Sequence, residues 1–269
     1  MSNSINLQIP SATPESKVRP ILFLSVMALL VAVATPALAQ QPREDTCKKR
    51  VLQARKVIVC SVDTTRQSIR LLWKQANGAP YGSLRGIDAA ATAETGPMLF
   101  AMNAGMYHAD LSPGGLYIEN GQRYSPANTA NGPGNFHLKP NGVFHVSGSS
   151  AEVTETRRFL ARSGKVQFAT QSGPMLVLNG KLHPRITGQG LSSKIRNGVG
   201  VAGTRMVHFV ISEEPVTFSE FARMFRDDLR TPNALYLDGS ISSLYAPSVG
   251  RADGFLPVGP IVAGFGPGN

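Results

Sequence analysis

Four strand-like runs of this 269-residue chain end in a polar side chain followed within two residues by glycine. MLFAMNAGMY carries Asn103 and Gly105, and VQFATQSGPMLV carries Gln171, Ser172 and Gly173. SKIRNGVGVA places Arg196 and Asn197 before Gly198, and NALYLDGS closes on Asp238, Gly239 and Ser240. Taken singly, each is ordinary turn chemistry, since Asn, Asp, Ser and Gly all favour tight turns. Taken together, on neighbouring strands, they would bring a guanidinium, a carboxylate and several amide and hydroxyl groups to one rim. Arg196 could then hold a phosphate or carboxylate through its planar fork, and Asp238 could act as nucleophile or base. Asn103, Gln171, Ser172, Asn197 and Ser240, with close backbone approach at Gly105, Gly173 and Gly239, would bind the substrate.

The elements that must carry these groups can be read from period and punctuation. Asn120-Gly121, Asn141-Gly142 and Asn179-Gly180 each separate two apolar-rich runs, a strong local hairpin signal. KVIVCSV and SIRLLW read as a further strand pair. Thr217 and Glu220 form a capping-box pattern, Val216 is placed to staple against Phe221, and Phe218, Phe221, Phe225 and Leu229 recur at helical spacing before Pro232. Further helices are expected over Leu84 to Thr95 and around Glu152 to Ala161. The expected fold is α+β: a mixed, largely antiparallel sheet built from hairpins, with a few packed helices.

Residues 1–39 read as a signal peptide. Lys17 and Arg19 precede an apolar stretch from Ile21 to Ala34, and Ala37-Leu38-Ala39 supplies a small-residue cleavage pattern. That stretch falls short of the roughly 20 apolar residues of a membrane span. The expectation is therefore a periplasmic or secreted protein with no stable membrane insertion after cleavage, and one domain over residues 40–269. Export makes a disulfide between Cys47 and Cys60 plausible, against the alternative of two free thiols. The formal charge is +10; removing Lys17, Arg19 and Glu15 with the leader leaves +9. Such a balance favours anionic partners. The basic residues are scattered and no nucleic-acid motif accompanies them, so no nucleic-acid partner is expected.

NAGMYHADLSPGGLYIENGQ, TQSGPMLVLNGKLHP, IRNGVGVA and PNALYLDGSISSLYAP, in that order, resemble the bacterial branch of the phosphodiester glycosidase family. The resemblance runs from about Val57 to Phe265. It implies hydrolysis of a glycosidic bond whose leaving group is a phosphodiester or phosphate, with a sugar-phosphate or envelope or capsular glycan as substrate. It also implies that Arg196 holds the phosphate, that Asp238 is the carboxylate closest to the anomeric carbon, and that Ser172, Asn197 and the Gly173 backbone orient hydroxyl or phosphate oxygens.

Glycosidases commonly use two carboxylates. Here Gln171 stands where a second acid would be natural, leaving Asp110, Glu213 and Glu214 as candidates. A phosphate is already a good leaving group, which lessens the need for a general acid. A non-catalytic protein binding an anionic glycan in the same cleft is the alternative, and an esterase using Ser240 or Ser242 is a third reading. No G-x-S-x-G elbow, H-E-x-x-H pair, Walker loop or dinucleotide fingerprint occurs, so no cofactor is expected and a metal is left open. Trp73, the single tryptophan, reads as core rather than as a sugar platform.

Overall fold

A computed structural model describes residues 45–87, 96–162, 164–186, 192–238, 241–254 and 256–267. All of these fall in the compact unit Glu44–Asn269. The expected leader, residues 1–39, lies outside the described residues, as do Gly239 and Ser240.

In chain order the strands begin with β1 (Cys47–Leu52), β2 (Arg55–Asp63), β3 (Ser68–Leu72), β4 (Met98–Asn103), β5 (Tyr117–Glu119) and β6 (Gln122–Ser125). They continue with β7 (Gly142–Ser147), β8 (Ser150–Glu155), β9 (Phe168–Ser172), β10 (Met175–Leu178), β11 (Lys181–Leu182) and β12 (Asn197–Ala202). The last are β13 (Met206–Ser212), β14 (Asn233–Tyr236), β15 (Leu244–Ala246), β16 (Arg251–Ala252) and β17 (Ile261–Phe265). Helix α1 (Thr156–Leu160) follows β8, and α2 (Phe218–Arg223) runs on into a π turn, Met224–Asp228.

The strands form a seven-stranded sheet, β1-β2-β13-β12-β14-β10-β11, and two five-stranded sheets, β16-β15-β4-β17-β3 and β6-β5-β9-β7-β8. Every pairing among them is antiparallel. The fold is thus mostly antiparallel sheet with few helices, consistent with the α+β expectation. All three sheets contribute to one core, in which Phe209 of β13 packs against Phe100 of β4 and Phe144 of β7 at ring separations of 5.3 and 5.6 Å.

Local turn chemistry explains two of the three expected hairpins. Asn120 and Gly121, and Asn179 and Gly180, take positive φ and join β5 to β6 and β10 to β11, as a two-residue turn requires. Asn141-Gly142 does not: Lys139-Pro140 is cis, the buried Asn141 amide donates to the Phe136 carbonyl, and Asn135–His137 forms a 3-10 turn where the first strand was expected. KVIVCSV and SIRLLW are strands but not partners, because β2 lies between β1 and β13 while β3 pairs with β17. The helix expected from Glu152 is strand until Glu155, whose carboxylate then caps α1. Of the helix expected over Leu84 to Thr95, Leu84–Gly86 is a 3-10 turn and residues 88–95 lie outside the described set.

Helix α2 starts at the expected capping box, with Thr217 and Glu220 bonding each other's backbone. Its phenylalanines rest on β12, where two positions must stay bare. A Cβ on Gly198 would lie 3.1 Å from the Phe221 ring, and one on Gly200 would lie 2.7 Å from the Phe225 ring. The alternating glycines of NGVGVA therefore bring α2 down onto the strand that begins at Asn197, directly after Arg196. Cys47 and Cys60 face each other across β1 and β2 and form a disulfide.

Burial keeps two histidines neutral. His145 is held down to about 3 by desolvation and the Arg162 guanidinium, and His208 to about 4 by desolvation and Arg50. An unfolded histidine takes its proton near pH 6.5, so the unfolded chain binds more protons below that value and stability falls as pH drops from 6.5 towards 4. Between pH 7 and pH 5 the loss should be about 2–4 kcal/mol. Urea unfolding midpoints measured at both pH values check this; equal midpoints would contradict it.

Candidate active site

Asn103 and Asn197 join the ends of β4 and β12 to the Asp238 segment, while Gln171 and Arg196 spend their hydrogen bonds on other parts of the chain. Asn103, at the end of β4, donates from Nδ2 to the Asp238 carbonyl at 2.8 Å, and its Oδ1 accepts from the Ser243 backbone N–H at 2.8 Å. Asn197, at the start of β12, donates from Nδ2 to the Asn103 carbonyl and Oδ1 at 3.0 and 3.1 Å. The Ser242 hydroxyl closes the knot, 3.1 Å from Asn197 Oδ1 and 3.2 Å from the Ile195 carbonyl. Both asparagines are fully buried. They were expected to bind substrate; instead they lock β4, β12 and the segments flanking Asp238 together.

Gln171 corrects the same way. Its Oε1 accepts from the Leu116 and Asn128 backbone N–H groups, and its Nε2 donates to the Asn128 carbonyl and Thr156 Oγ1. All four of its bonding positions are thus spent on the chain. The glycines serve close packing as well. A Cβ on Gly105 would lie 2.3 Å from the Gln171 carbonyl oxygen, and one on Gly173 would lie 2.7 Å from Asn141 Cβ. Close approach was the right reason for both, but the approaching group is backbone or side chain of this chain rather than ligand.

Asp238, at 6% exposed, follows β14, and its backbone N–H donates to the Ala104 carbonyl. Tyr236 N–H donates to the Pro174 carbonyl, continuing the antiparallel pairing of β14 with β10, while Ser172, at the end of β9, pairs with Gly142 of β7. Ser172 Oγ is buried and has no hydrogen-bond partner among the described residues. Since a buried hydroxyl nearly always finds a partner, this one is a donor and acceptor in reserve at the end of β9.

Arg196 lies deeper, 1% exposed. Its Nε donates to the Val216 carbonyl at 2.9 Å, its Nη2 to the Ser192 carbonyl at 2.9 Å, and its Nη1 to the Tyr236 hydroxyl at 3.3 Å. Its guanidinium stacks on the Phe218 ring at 3.7 Å and lies 5.4 Å from the Tyr236 ring. No carboxylate forms an ion pair with it among the described residues. An open bidentate phosphate clamp is therefore not its position: three of its five N–H donors are bound within the chain, in a buried place.

The sequence profile of the phosphodiester glycosidases (NAGPA) matches residues 97–255, from just before β4 to beyond Asp238. The chain belongs to the phosphodiester glycosidase family. This family member is 40% identical over 185 residues to the uncharacterized protein YigE of Escherichia coli (strain K12), covering 69% of this chain and 72% of YigE. Its fold is similar to that of the catalytic domain of zebrafish N-acetylglucosamine-1-phosphodiester alpha-N-acetylglucosaminidase, auto-inhibited by its pro-peptide. The TM-score is 0.53 at 12% identity, covering 81% of this chain and 80% of that one. A hypothetical protein from Synechocystis is similar at a TM-score of 0.51 and 16% identity over 82% of this chain, which spans 62% of that protein.

Within this glycosidase-family domain, two tyrosines that the sequence reading passed over feel the Asp238 charge. Tyr236 is fully buried; desolvation raises its phenol, Arg196 pulls it down and Asp238 pushes it up again. Both charged groups thus act on one hydroxyl. The half-buried Tyr107 is pushed up to about 12, first by burial and then by the Asp238 carboxylate. Its hydroxyl donates to the Pro257 carbonyl at 2.9 Å, and its ring packs where a Cβ on Gly259 would lie at 2.4 Å. The signal for Tyr236 was its parity: residues two apart on a strand share a face, and Tyr236 stands two before Asp238. Trp73 fastens the loop after Tyr107, its indole N–H donating to the Leu111 carbonyl.

The other acids are occupied. Asp110 accepts from Ser112 N–H and Oγ, and Glu214 accepts from Lys56 N–H. Glu213 is exposed, with its backbone N–H on the Lys56 carbonyl. Among the described residues no three His, Cys, Asp or Glu side chains are arranged to hold a metal ion.

Proposed function

We propose that this chain is an exported glycosidase that hydrolyses the bond between a sugar's anomeric carbon and a phosphodiester or phosphate leaving group on envelope glycans. The observation that carries this reading is the buried Arg196–Tyr236 pair, Nη1 to Oη at 3.3 Å, with Tyr236 on the strand that leads two residues later to Asp238, whose carboxylate also raises the Tyr236 phenol. Family membership supports the reaction class.

In this reading Asp238 is the group at the anomeric carbon. The bond from that carbon to the phosphate oxygen breaks, the electron pair leaves with the phosphate, and water supplies the new hydroxyl while its other proton passes to the Asp238 carboxylate. A phosphate ester departs as a stable anion, so a single carboxylate suffices. Because Tyr236 Oη accepts from Arg196 Nη1, its own proton remains available to donate towards a developing negative charge. Arg196 then acts through Tyr236 as a positioning residue, and Ser172 supplies a hydroxyl to the substrate.

Purified protein should release free sugar from a chromogenic sugar-1-phosphodiester, with a phosphate monoester as co-product. Saturable binding of that compound with no product would favour the binding-only reading.

A further inference from the structure

A second site lies away from Asp238, between the β5–β6 hairpin and the C-terminal end of α1. It is a hollow of about 220 Å³ lined by Leu116, Ile118, Gly121, Arg123, Phe159, Leu160, Arg162, Gly164, Lys165 and Val166. Its floor is apolar, with Leu116, Phe159 and Val166 buried in one small cluster against which Ile118 packs. Its rim carries three cations, Arg123, Arg162 and Lys165, and no carboxylate. Leu160 stands at the same rim with 50% of its surface exposed, one of five large hydrophobic side chains so exposed among the described residues.

The one acid near the rim does little to cancel this charge. Glu152 approaches Arg162 at 3.8 Å with both side chains well exposed, and such a pair is worth little in water. Arg162 is instead steered by a neutral group, its Nη1 lying 2.9 Å from His145 Nε2, while its guanidinium sits 5.8 Å over the Phe159 ring. Three cations around an exposed leucine and an apolar floor complement a negatively charged surface with apolar matter just beneath it. A free polar anion would leave Leu160 and the floor unused.

From this we propose that the hollow docks the protein on anionic phospholipid, with headgroup phosphates on Arg123, Arg162 and Lys165 and Leu160 entering the acyl boundary. Charge complementarity carries the choice of occupant. The interaction is peripheral: no helix among the described residues is long and apolar enough to cross a membrane.

The test is co-sedimentation of the full protein with phosphatidylglycerol and with phosphatidylcholine vesicles at low salt, comparing wild type, the triple variant Arg123→Gln, Arg162→Gln, Lys165→Gln, and Leu160→Ser. All four positions are exposed, so the variants should keep the wild-type melting temperature. Wild type should partition at least about tenfold more strongly into phosphatidylglycerol, and the triple variant should lose about 10- to 100-fold of that binding. Leu160→Ser should lose a few-fold on both lipids. Because every protein carries the same N-terminus, equal partitioning of wild type and triple variant would overturn the proposal. So would equal binding of wild type to both lipids, or an affinity for inorganic phosphate that falls in the triple variant while vesicle binding stays unchanged.

Discussion

Asp238→Asn should lower kcat on a sugar-1-phosphodiester by about 10²- to 10⁴-fold, the range associated with losing a positioned acid–base or nucleophilic group. The substitution is nearly isosteric, and the Asp238 backbone is anchored by its N–H to the Ala104 carbonyl and by its carbonyl from Asn103 Nδ2. Fold and KM should therefore change little, and the loss should appear in kcat. Steady-state kinetics with a parallel melting curve separates the two. A variant that keeps wild-type turnover removes Asp238 from the chemistry.

Replacing Arg196 should act on stability and on rate together. Arg196→Met removes a donor from the buried Val216 carbonyl, which keeps its bond from Lys194 N–H, and from the carbonyl of the exposed Ser192, and it removes the stack on Phe218. Hydrogen bonds from a charged donor are worth about 1.5–3 kcal/mol each, while relief from burying a charge without a carboxylate partner returns part of that. A net loss of about 2–4 kcal/mol follows, read as a fall of about 4–16 °C in Tm. Turnover should drop at least about tenfold, because the Tyr236 phenol loses the charge that opposes burial and Asp238. If Arg196 works through Tyr236, the rate effects of Arg196→Met and Tyr236→Phe should not add. Strict additivity would show that Arg196 acts on the substrate independently. Arg196→Lys keeps the charge and loses the fork, so it should recover part of the rate but little of the stability.

What could be read from sequence divides along local and non-local lines. Asn120-Gly121 and Asn179-Gly180 close hairpins because positive φ at two successive residues is a local demand that Asn and Gly meet. Asn141-Gly142 carries the same dipeptide, yet the preceding Pro140 and the Asn141 bond to Phe136 turn it to another use. The Thr217–Glu220 cap was legible for the same local reason. The separation of β2 and β3 into different sheets was not, since their partners β13 and β17 lie more than 140 residues further along the chain.

The site follows that division. A polar residue at a strand end before glycine marks a place where segments converge, and Asn103, Gln171, Asn197 and Asp238 do lie where segments meet. Residue type could not show which of them would spend their hydrogen bonds on the chain. An asparagine that fastens two strands and one that holds a sugar hydroxyl look alike in sequence. Ser172 and Gln171 adjoin, and among the described residues the Ser172 hydroxyl has no partner while the Gln171 amide makes four hydrogen bonds. Tyr236 escaped notice because an aromatic residue inside an apolar run reads as core, which it also is.

The central claim is that this domain breaks the carbon–oxygen bond of a sugar phosphodiester rather than the phosphorus–oxygen bond. Hydrolysis in ¹⁸O-labelled water, with mass analysis of both products, decides between them directly. Attack at the anomeric carbon puts the label in the hydroxyl of the released sugar and leaves the phosphate unlabelled. Label in the phosphate would mean attack at phosphorus and would contradict the role given to Asp238.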